Sequence, residues 1–366
     1  MKNLKIFKNS RIIVTGHTGF KGSWLTAWLK ELEATVMGIS LDIPTQPSHF
    51  KASKLQKGIK DIRLDIRNKK KIEKKILSFK PNFIFHLAAQ SLVGTSYNSP
   101  KATWQTNVLG TLNILEALRK VKNSCNVLII TSDKVYLNKE INYGYKENDM
   151  LGGKDPYSGS KAATEILVKS YISSFFTKNH PVRIATARAG NVIGGGDWAD
   201  KRIIPDCVKS WSKNKKVELR NPQSTRPWQH VLEALNGYLC LAINLKYNKK
   251  LHGESFNFGP ESSKEYSVIE IVKKMSNHWQ NVSWKITPKN KKNFNESKVL
   301  RVNCSKAKKI LKWRNVLSFN ETIKMVSDWY RTFYLNPKKI EHTTKQQIKN
   351  YQLLAIKKKL SWVKNN

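Results

Sequence analysis

The sequence predicts an α/β protein built on a doubly wound parallel sheet, followed by a smaller, loop-rich C-terminal portion. Three observations predict this fold. Strand-like and helix-like segments alternate through the first 190 residues, a glycine-rich turn follows the first strand, and the texture changes to Gly, Pro and Trp after residue 190. Such alternation is typical of βαβ units with parallel strands.

Each element is indicated by its local pattern. Short runs rich in β-branched and aromatic residues predict strands at RIIVTG (11–16), TVMGIS (35–40), PNFIFHLAA (81–89), CNVLIITS (125–132) and VRIATARAG (182–190). Longer segments with apolar residues three and four apart predict helices at GSWLTAWLKEL (22–32), KIEKKILSFK (71–80), TNVLGTLNILEALRKV (106–121) and YSGSKAATEILVKSYISSFF (157–176). A further helix, preceded by a short strand, is predicted within RPWQHVLEALNGYLCLAINL (226–245).

Composition narrows the class of protein. The 366 residues suffice for one large or two moderate domains, and no run of about 18 apolar residues or secretory h-region is present, so we expect no membrane association. Four widely spaced cysteines without CxxC, and histidines without HExxH, predict reduced thiols, a cytoplasmic location and no metal site. The net charge of +40 is spread along the chain, which argues against nucleic-acid binding but favours capture of a small polyanion.

The segment TGHTGFKG places Gly16, Gly19 and Gly22 between the first strand and the first helix. Glycines here permit a tight turn and let backbone N–H groups and a helix N-terminus approach a pyrophosphate. In this strand–turn–helix context the motif predicts a Rossmann-type dinucleotide site. Asp42, in GISLDIP after the second strand, is the candidate partner of the adenosine ribose, and the lack of a nearby Arg in sequence favours NAD over NADP. Asp42 as a simple turn residue before Pro44 is the alternative.

The segment YSGSK gives Tyr157 and Lys161 in a YxxxK pattern at the head of a helix. A spacing of four residues puts both side chains on one helix face. We expect the ammonium to lower the pKa of the phenol, so that Tyr157 takes the proton of a substrate hydroxyl. The preceding strand ends in TSDKVY, which places Ser132, Asp133 and Lys134 at the same edge of the sheet.

These motifs resemble those of the extended short-chain dehydrogenase/reductases, and within that superfamily the chain closely resembles the CDP-glucose 4,6-dehydratases. The matching stretches, which span residues 11 to about 260, are VTGHTGFKGSWL, LDIPTQPSHF, HLAAQSLV, TSDKVY, DPYSGSKAATE, ARAGNVIGGGDWADKRIIPD and RPWQHVLEAL. The resemblance implies a 1–190 NAD-binding Rossmann domain, a 191–335 substrate-binding portion interleaved with the last elements of the sheet, and a basic helical tail at 336–366. It also implies a homodimer or higher homo-oligomer.

The resemblance also implies the ligand-binding residues. NAD is implied to contact Gly16, Thr18, Gly19, Phe20, Lys21, Gly22, Asp42, Asp65, Ile66, Leu87, Ala88, Ala89, Asn107, Tyr157 and Lys161. Asp65 and Ile66 are implied to lie at the adenine, and Asn107 to order the helix beside the cofactor. A nucleotide-sugar diphosphate, CDP-glucose, is implied to contact Ser132, Asn191, Arg202 and Arg226, because guanidinium groups meet phosphate oxygens bidentately. A surface position without a ligand is the alternative for each arginine taken alone, and a packing role is an equal alternative for His17, Asn107 and Trp228.

The implied reaction oxidises C4 of the sugar, removes the acidified C5 proton, expels the C6 hydroxyl as water and returns hydride to C6. Related enzymes carry Thr-Asp-Glu where this chain has Ser132-Asp133-Lys134. Asp133 would protonate the departing hydroxyl. Lys134 would either remove the C5 proton, which requires a neutral amine, or stabilise the enolate as a cation.

Rival interpretations remain open from the sequence. Another nucleotide-hexose 4,6-dehydratase or a 4-epimerase shares the superfamily, although an epimerase needs no acid at C6. A non-catalytic dinucleotide-binding protein would not need Ser132, Tyr157 and Lys161 together.

Overall fold

The structure, a computed structural model, describes residues 2–140, 143–260, 266–280, 282–287 and 300–363. Its strands are β1 (Arg11–Thr15), β2 (Thr35–Ser40), β3 (Lys60–Arg63), β4 (Phe83–His86), β5 (Cys125–Ile130), β6 (Val182–Ala189), β7 (Val192–Ile193), β8 (Val217–Leu219), β9 (Thr225–Arg226), β10 (Gln229–His230), β11 (Ser255–Phe258), β12 (Tyr266–Ser267) and β13 (Trp284–Ile286). Its α-helices are α1 (Phe20–Glu31), α2 (His49–Ala52), α3 (Lys69–Phe79), α4 (Val93–Asn98), α5 (Pro100–Trp104), α6 (Gly110–Arg119), α7 (Pro156–Phe175), α8 (Ile203–Trp211), α9 (Val231–Tyr247), α10 (Val268–Ser276), α11 (Ser305–Ile310), α12 (Phe319–Leu335) and α13 (Ile340–Lys357).

Seven strands form one central sheet in the order β11-β6-β5-β4-β1-β2-β3, and every neighbouring pair is parallel. The predicted doubly wound parallel sheet is therefore confirmed. The chain moves outward in one direction from β1 and in the other from β4. The crevice beyond the carboxyl ends of β1 and β4 is the switch point at which open α/β sheets bind ligands.

The two faces of the sheet pack against different helices because alternate strand residues point to opposite faces. In β1, Ile13 lies in a buried cluster with residues of α3, α6 and α7. Its neighbours Ile12 and Val14 lie in the other cluster, with residues of α1 and α9. The near-continuous apolar strands CNVLII and FIFH follow from this burial on both faces.

In the described residues after position 190 the chain forms three two-stranded pairs, β10 with β7, β12 with β9 and β13 with β8, among helices and loops. The last long helix, α13, lies within the segment predicted as a basic tail, and Tyr351, Trp362 and Val363 of that segment are buried in the main core. Residues 364–366 of the predicted tail lie outside the described residues. The division into domains at residues 190 and 335 stays a prediction.

The structure adds elements that the pattern analysis did not contain. β3, with the sequence KDIR, pairs with β2 although its burial is only partial, so it lacks the apolar run by which the other strands are recognised. β11, with the sequence SFNF, pairs with β6 within a stretch that we expected to be loop-rich. The predicted helix at 106–121 begins instead with a π-helical turn, Gln105–Leu109.

Candidate active site

The glycine turn lies at the switch point, between β1 and α1. Gly16 has a φ of 74°, and a Cβ built on it would lie 2.8 Å from the backbone N of Ala88, which follows β4. A Cβ on Gly22 would lie 2.1 Å from the carbonyl oxygen of Gly16. Gly19 caps α1 without a side-chain hydrogen bond. These contacts require glycine, and they leave the N-terminus of α1 open to an anionic group.

A buried histidine within this turn, His17, forms side-chain hydrogen bonds to β2 and β3. The Nε2 atom of His17 lies 2.8 Å from Asp61 Oδ1, so Nε2 carries the proton, because a carboxylate only accepts. Its Nδ1 lies 2.8 Å from Ser40 Oγ, which also accepts the N–H of Thr18 at 3.3 Å. Burial lowers the pKa of His17. We infer that His17 is a support of the turn rather than a catalytic base.

The candidate ribose partner lies at the end of β2. Asp42 is exposed, and its backbone carbonyl accepts a hydrogen bond from Thr18 Oγ1 at 2.5 Å. No arginine lies near Asp42 in the sequence, but Arg63 of β3 is in register with Ser40 of β2. However, Arg63 forms a 2.8 Å ion pair with Asp61. The sequence hid this neighbour because 23 residues separate it from Ser40.

The implied adenine contacts follow β3. Asp65 holds Arg67 in a bidentate pair, with 2.6 Å between Arg67 Nη2 and Asp65 Oδ2, and these hydrogen bonds lower the pKa of Asp65. Ile66 is buried, and a Cβ on Gly110 would lie 2.5 Å from its Cδ1. The start of α6 therefore packs directly on this loop.

The implied dinucleotide-lining residues Leu87, Ala88 and Ala89 are half-buried and follow β4. The backbone N–H of Ala88 donates to Thr15 Oγ1 at 3.1 Å, and the same hydroxyl lies 2.7 Å from His86 Nδ1. These bonds connect the ends of β1 and β4 on either side of the crevice.

Asn107 is buried in the π-helical turn and holds three segments together. Its Oδ1 accepts the N–H of Gln90 at 2.8 Å, and its Nδ2 donates to the Gln90 carbonyl at 3.0 Å and to Ser160 Oγ at 2.8 Å. Its backbone carbonyl accepts the hydroxyls of Thr111 and Thr164 at 2.7 and 3.0 Å. Asn107 therefore fixes α7 next to the segment that follows β4, and π-turns of this kind are frequent at functional sites.

The Tyr-Lys pair lies in the first turns of α7, where Asp155 caps the helix by accepting the N–H of Ser158 at 3.0 Å. Tyr157 is buried and shares a hydrogen bond with Ser132. Lys161 is buried, and its Nζ lies 3.4 Å from the carbonyl oxygen of Ile130, the last residue of β5.

The pKa of Tyr157 lies above its ordinary value, not below it. Burial raises the pKa of Tyr157 to about 12, against the lowering effects of Ser132 and the Arg202 guanidinium, and Asp133 raises it further. Burial also lowers the pKa of Lys161 to about 7, helped by the positive charge of Lys21. A phenol with this pKa keeps its proton at neutral pH in the ligand-free protein. It loses that proton only in concert with a proton transfer in the bound substrate, or after ligand binding changes its surroundings.

Asp133 and Lys134 lie in a short 3₁₀ turn, Asp133–Val135, directly after β5. Ser132 Oγ donates to Asp133 Oδ1 at 2.9 Å and accepts the backbone N–H of Lys134 at 3.2 Å. Asp133 is buried, whereas Lys134 is half-buried. Ser132 thus contacts both Asp133 and Tyr157, and joins the two halves of the candidate site.

Lys21 brings a second cation to the same place. Its Nζ lies 3.4 Å from the hydroxyl of Tyr238 on α9, a residue that sequence reasoning missed because it lies within an apolar helix pattern. Burial and the charge of Arg202 lower the pKa of Lys21 to about 8, while Asp133 opposes the shift. Arg202 is held by a 2.7 Å ion pair with Asp197, and 38% of its side chain is exposed.

The other two implied substrate residues lie further along the chain. Asn191 lies between β6 and β7 and has a positive φ of 32°. Its carbonyl accepts the N–H of Gln229 at 3.3 Å. Arg226 lies on β9, opposite Tyr266 of β12, and its Nη1 donates to the carbonyl of Thr225 at 2.7 Å. One group of residues thus interacts electrostatically: Ser132, Asp133, Tyr157, Lys21 and Arg202. Arg226 lies apart from this group, on the β9–β12 pair.

Two further observations concern the class of site. Within the described ranges, no group of three or more His, Cys, Asp or Glu side chains is arranged to hold a metal ion. A search of the same residues finds no helix with the length and apolar character needed to cross a membrane.

A glycine turn at the switch point of a parallel sheet, together with a Ser-Tyr-Lys group at the end of β5, defines an extended short-chain dehydrogenase/reductase. The sequence profile of the GDP-mannose 4,6-dehydratase family matches residues 13–326, and the chain belongs to this family. It is 43% identical over 338 residues to the CDP-glucose 4,6-dehydratase of Salmonella typhimurium, covering 91% of this chain and 94% of that protein. It is 24% identical to the CDP-paratose 2-epimerase of Salmonella typhi, covering 87% and 98%.

Solved structures share the fold. The epimerase Mth375 of Methanothermobacter thermautotrophicus superposes with a TM-score of 0.79 at 21% identity, covering 93% of this chain and 97% of that chain. The UDP-glucuronic acid 4-epimerase of Bacillus cereus, in complex with UDP-glucuronic acid and NAD, superposes with a TM-score of 0.75 at 23% identity, covering 88% and 100%.

Proposed function

We propose that this protein is an NAD-dependent dehydratase that converts CDP-glucose to CDP-4-keto-6-deoxyglucose and water. The observation that carries the proposal is the contact of Ser132 with both Tyr157 and Asp133. A Ser-Tyr-Lys group alone suffices for oxidation at C4, whereas an acid beside it supplies the elimination of the C6 hydroxyl. The 43% identity to a CDP-glucose 4,6-dehydratase supports cytidine as the base.

The cradle formed by Gly16 and Gly22, with the open N-terminus of α1, fits the pyrophosphate of a dinucleotide. NAD held there would supply the hydride chemistry, oxidation at C4 of the sugar and reduction at C6. Asp42 is the proposed acceptor for the adenosine ribose hydroxyls, and the pairing of Arg63 with Asp61 disfavours a 2′-phosphate. Equal or better rescue of cofactor-stripped protein by NADP than by NAD would contradict this assignment.

Different residues of the chain carry out the different proton transfers of the reaction. Once ligand binding allows its phenol to ionise, Tyr157 takes the proton of the C4 hydroxyl, and Ser132 orients that hydroxyl. Lys161, four residues further along α7, would hold the nicotinamide ribose. Such general acid–base help contributes about 10²- to 10⁴-fold in rate.

Elimination uses the turn after β5. Asp133 is proposed to protonate the departing C6 hydroxyl, and it lies buried beside Ser132, which donates a hydrogen bond to its Oδ1. Lys134 acts at C5, as the base when neutral or as a cation that stabilises the enolate. Arg202, Arg226 and Asn191 are proposed to hold the diphosphate.

The experiment is incubation with CDP-, UDP-, dTDP- and GDP-glucose, with products identified by NMR. Only CDP-glucose should give a 4-keto-6-deoxy product at a useful rate. A 4-epimer as the product would favour the epimerase alternative, and elimination with another nucleotide would correct the base assignment. No turnover with any of them, with NAD binding retained, would favour a non-catalytic dinucleotide-binding protein.

We also propose a homodimer formed by the face that α4, α5 and α7 share. Tyr97, Trp104, Leu109 and Ile166 on these helices and the intervening π-turn are exposed apolar residues, and such clusters mark interaction surfaces. Ile166→Glu should shift the molar mass measured by light scattering from dimer to monomer. Leu353→Glu, at an exposed residue of α13, is the control and should leave the mass unchanged.

A cytoplasmic location is proposed because all four cysteines, Cys125, Cys207, Cys240 and Cys304, are free and buried. Cell fractionation with antibody detection tests this, and enrichment in the periplasmic fraction would contradict it.

A further inference from the structure

A buried ion pair lies directly behind the candidate site. Arg188 of β6 and Glu165 of α7 meet with 2.9 Å between Arg188 Nε and Glu165 Oε1, and each side chain is only 3% exposed. A second contact, between Arg188 Nη2 and Glu165 Oε2 at 3.1 Å, makes the pair bidentate. The opposite charge of Arg188 offsets the cost of burying the carboxylate. A buried ion pair often gives no more stability than an apolar pair of similar volume, so its presence calls for another reason.

The pair is attached to both ends of the segment that carries the elimination residues. Before the segment, Thr131 Oγ1 donates to Glu165 Oε1 at 2.6 Å. After it, Arg188 Nη1 donates to the hydroxyl of Tyr136 at 2.8 Å. Ser132, Asp133 and Lys134 lie between these two attachment points. We call Glu165, Arg188, Thr131 and Tyr136 the rear clamp.

The rear clamp is itself held from the other side by β11. Tyr136 Oη donates to Asn257 Oδ1 at 2.7 Å, and Asn257 Nδ2 donates in turn to the carbonyl of Tyr145 at 2.8 Å. Ser255 and Thr186 contact the second oxygen of Glu165 at 3.2 and 2.8 Å. These contacts fix the position of the clamp independently of any ligand.

The clamp also affects one oxidation residue, Lys161, because Glu165 lies one helical turn further along α7. Glu165 follows Lys161 by four residues on α7, so the two side chains share a face. The charge of Glu165 opposes the effect of burial on the pKa of Lys161. Among the residues of the clamp, Thr131 and Tyr136 contact neither Tyr157 nor Lys161 through any hydrogen bond in the described part of the chain.

We propose that Glu165 and Arg188 are positioning residues for the elimination half of the reaction, holding the Ser132–Lys134 turn at both ends so that Asp133 and Lys134 face C6 and C5. This inference rests on the proposed function, because it requires an elimination step. Small misplacement of catalytic groups costs up to about 10²-fold in rate, so loss of one attachment should be visible kinetically.

The test compares substitutions that each remove one hydroxyl from the same network. Thr131→Val and Tyr136→Phe each remove one side-chain attachment of the turn and leave its backbone hydrogen bonds, such as that from the Thr131 N–H to the Ala187 carbonyl, in place. Thr186→Val removes a hydroxyl contact with the same Glu165 carboxylate at a site away from the turn, and serves as the matched control. All three leave Asp133, Lys134, Tyr157 and Lys161 in place.

Three measurements separate positioning from a merely structural role. Stopped-flow absorbance gives the rate of cofactor reduction, NMR gives the rate of 4-keto-6-deoxy product formation, and hydrogen-exchange mass spectrometry of the ligand-free protein follows the amides of 131–136. In Thr131→Val and Tyr136→Phe we expect reduction within about twofold of the wild type, elimination slowed about 10-fold or more, and faster exchange of 131–136. Thr186→Val should lower Tm to a similar extent but keep the ratio of the two rates.

Each possible outcome either supports or overturns the positioning role. If elimination and reduction slow together in the clamp variants, or if Thr186→Val changes their ratio equally, the positioning role is overturned. If the wild type performs no elimination on any nucleotide-glucose, the proposed function fails and the inference falls with it. Wild-type elimination with unaffected clamp variants overturns the positioning role alone.

Discussion

The carboxylate of Asp133 lies directly against Gly190, the residue that follows β6. A Cβ built on Gly190 would lie 1.8 Å from Asp133 Oδ2 and 2.3 Å from its Cγ. A carboxylate can therefore occupy this position only because residue 190 has no side chain. The direction of Asp133 is set by a residue 57 positions away, just beyond the end of the neighbouring strand.

Replacing Gly190 should therefore displace the proposed acid. Gly190→Ala forces the Asp133 carboxylate to rotate or shift, so we expect elimination to slow by about 10²-fold while nucleotide-sugar affinity changes little. Product formation and isothermal titration calorimetry measure the two effects.

The control for this prediction is Gly152→Ala. A Cβ at Gly152 would meet Leu137 at 3.4 Å, an ordinary contact distance, so this variant should behave as the wild type. Full activity of Gly190→Ala would show that the position of Asp133 does not matter for turnover.

Tyr157→Phe tests the oxidation half. Removing the phenol hydroxyl should lower kcat by about 10²-fold or more and preserve nucleotide-sugar binding, because the ring remains packed at the head of α7. Because the pKa of Tyr157 in the ligand-free protein is about 12, we expect no spectroscopic phenolate signal at pH 8 before substrate binds. Nearly normal turnover would remove Tyr157 from the mechanism.

Lys134→Met tests the role at C5. The methionine keeps much of the length of the lysine but has no titratable nitrogen. In D₂O, a basic Lys134 predicts that this variant accumulates reduced cofactor while C5 deuterium incorporation falls sharply.

Asp133→Asn provides the complementary result, because exchange at C5 should persist while loss of water slows. Normal C5 exchange in Lys134→Met would leave Lys134 an electrostatic role only, and the base would then be another group in the pocket.

Glu233 predicts a specific pH dependence of stability. This buried carboxylate on α9 accepts hydrogen bonds from the backbone N–H groups of Val316 and Leu317 at 2.9 and 2.6 Å, and from Tyr351 Oη at 2.9 Å. Burial raises its pKa to about 7 from the ordinary 4.5. Between these two pH values the folded protein binds more protons than the unfolded chain, so the contribution of Glu233 to stability falls as pH rises.

Glu233→Gln removes this titration and keeps an oxygen for the two backbone donors. We expect Tm of the variant, relative to the wild type, to rise between pH 5 and pH 8. The full effect corresponds to roughly 3 kcal/mol in the free energy of unfolding. Parallel Tm profiles for the two proteins across this range would contradict the prediction.

Local patterns were enough to predict β1, β2, β4, β5 and β6 of the described sheet, because residues buried on both faces must be apolar over consecutive positions. They were also enough to place the glycine turn and the Tyr-Lys pair, since both are defined within seven residues. β3 was missed because the partly exposed KDIR gives no apolar run.

Contacts between distant segments could not be predicted in this way. Lys21 meets Tyr238 across 217 residues, and Thr131, Glu165 and Arg188 meet from three separate elements. Nothing in the surroundings of each residue in the sequence indicates its partner. The pKa of Tyr157 was misjudged for the same reason, because burial, which depends on the whole fold, outweighs the effect of nearby cations.

The position of β11 has a consequence for how the chain is made. This strand is the last of the seven to leave the ribosome, yet it pairs with β6 and places Ser255 against Glu165. Until residue 258 emerges, a nascent chain that has already assembled β1 to β6 exposes the edge of β6. It also exposes the side of the Arg188–Glu165 pair that β11 later covers. Because domains fold from the N-terminus during synthesis, the 65 residues between β6 and β11 set an interval in which that edge needs protection, and translation pauses or chaperone binding would act within it.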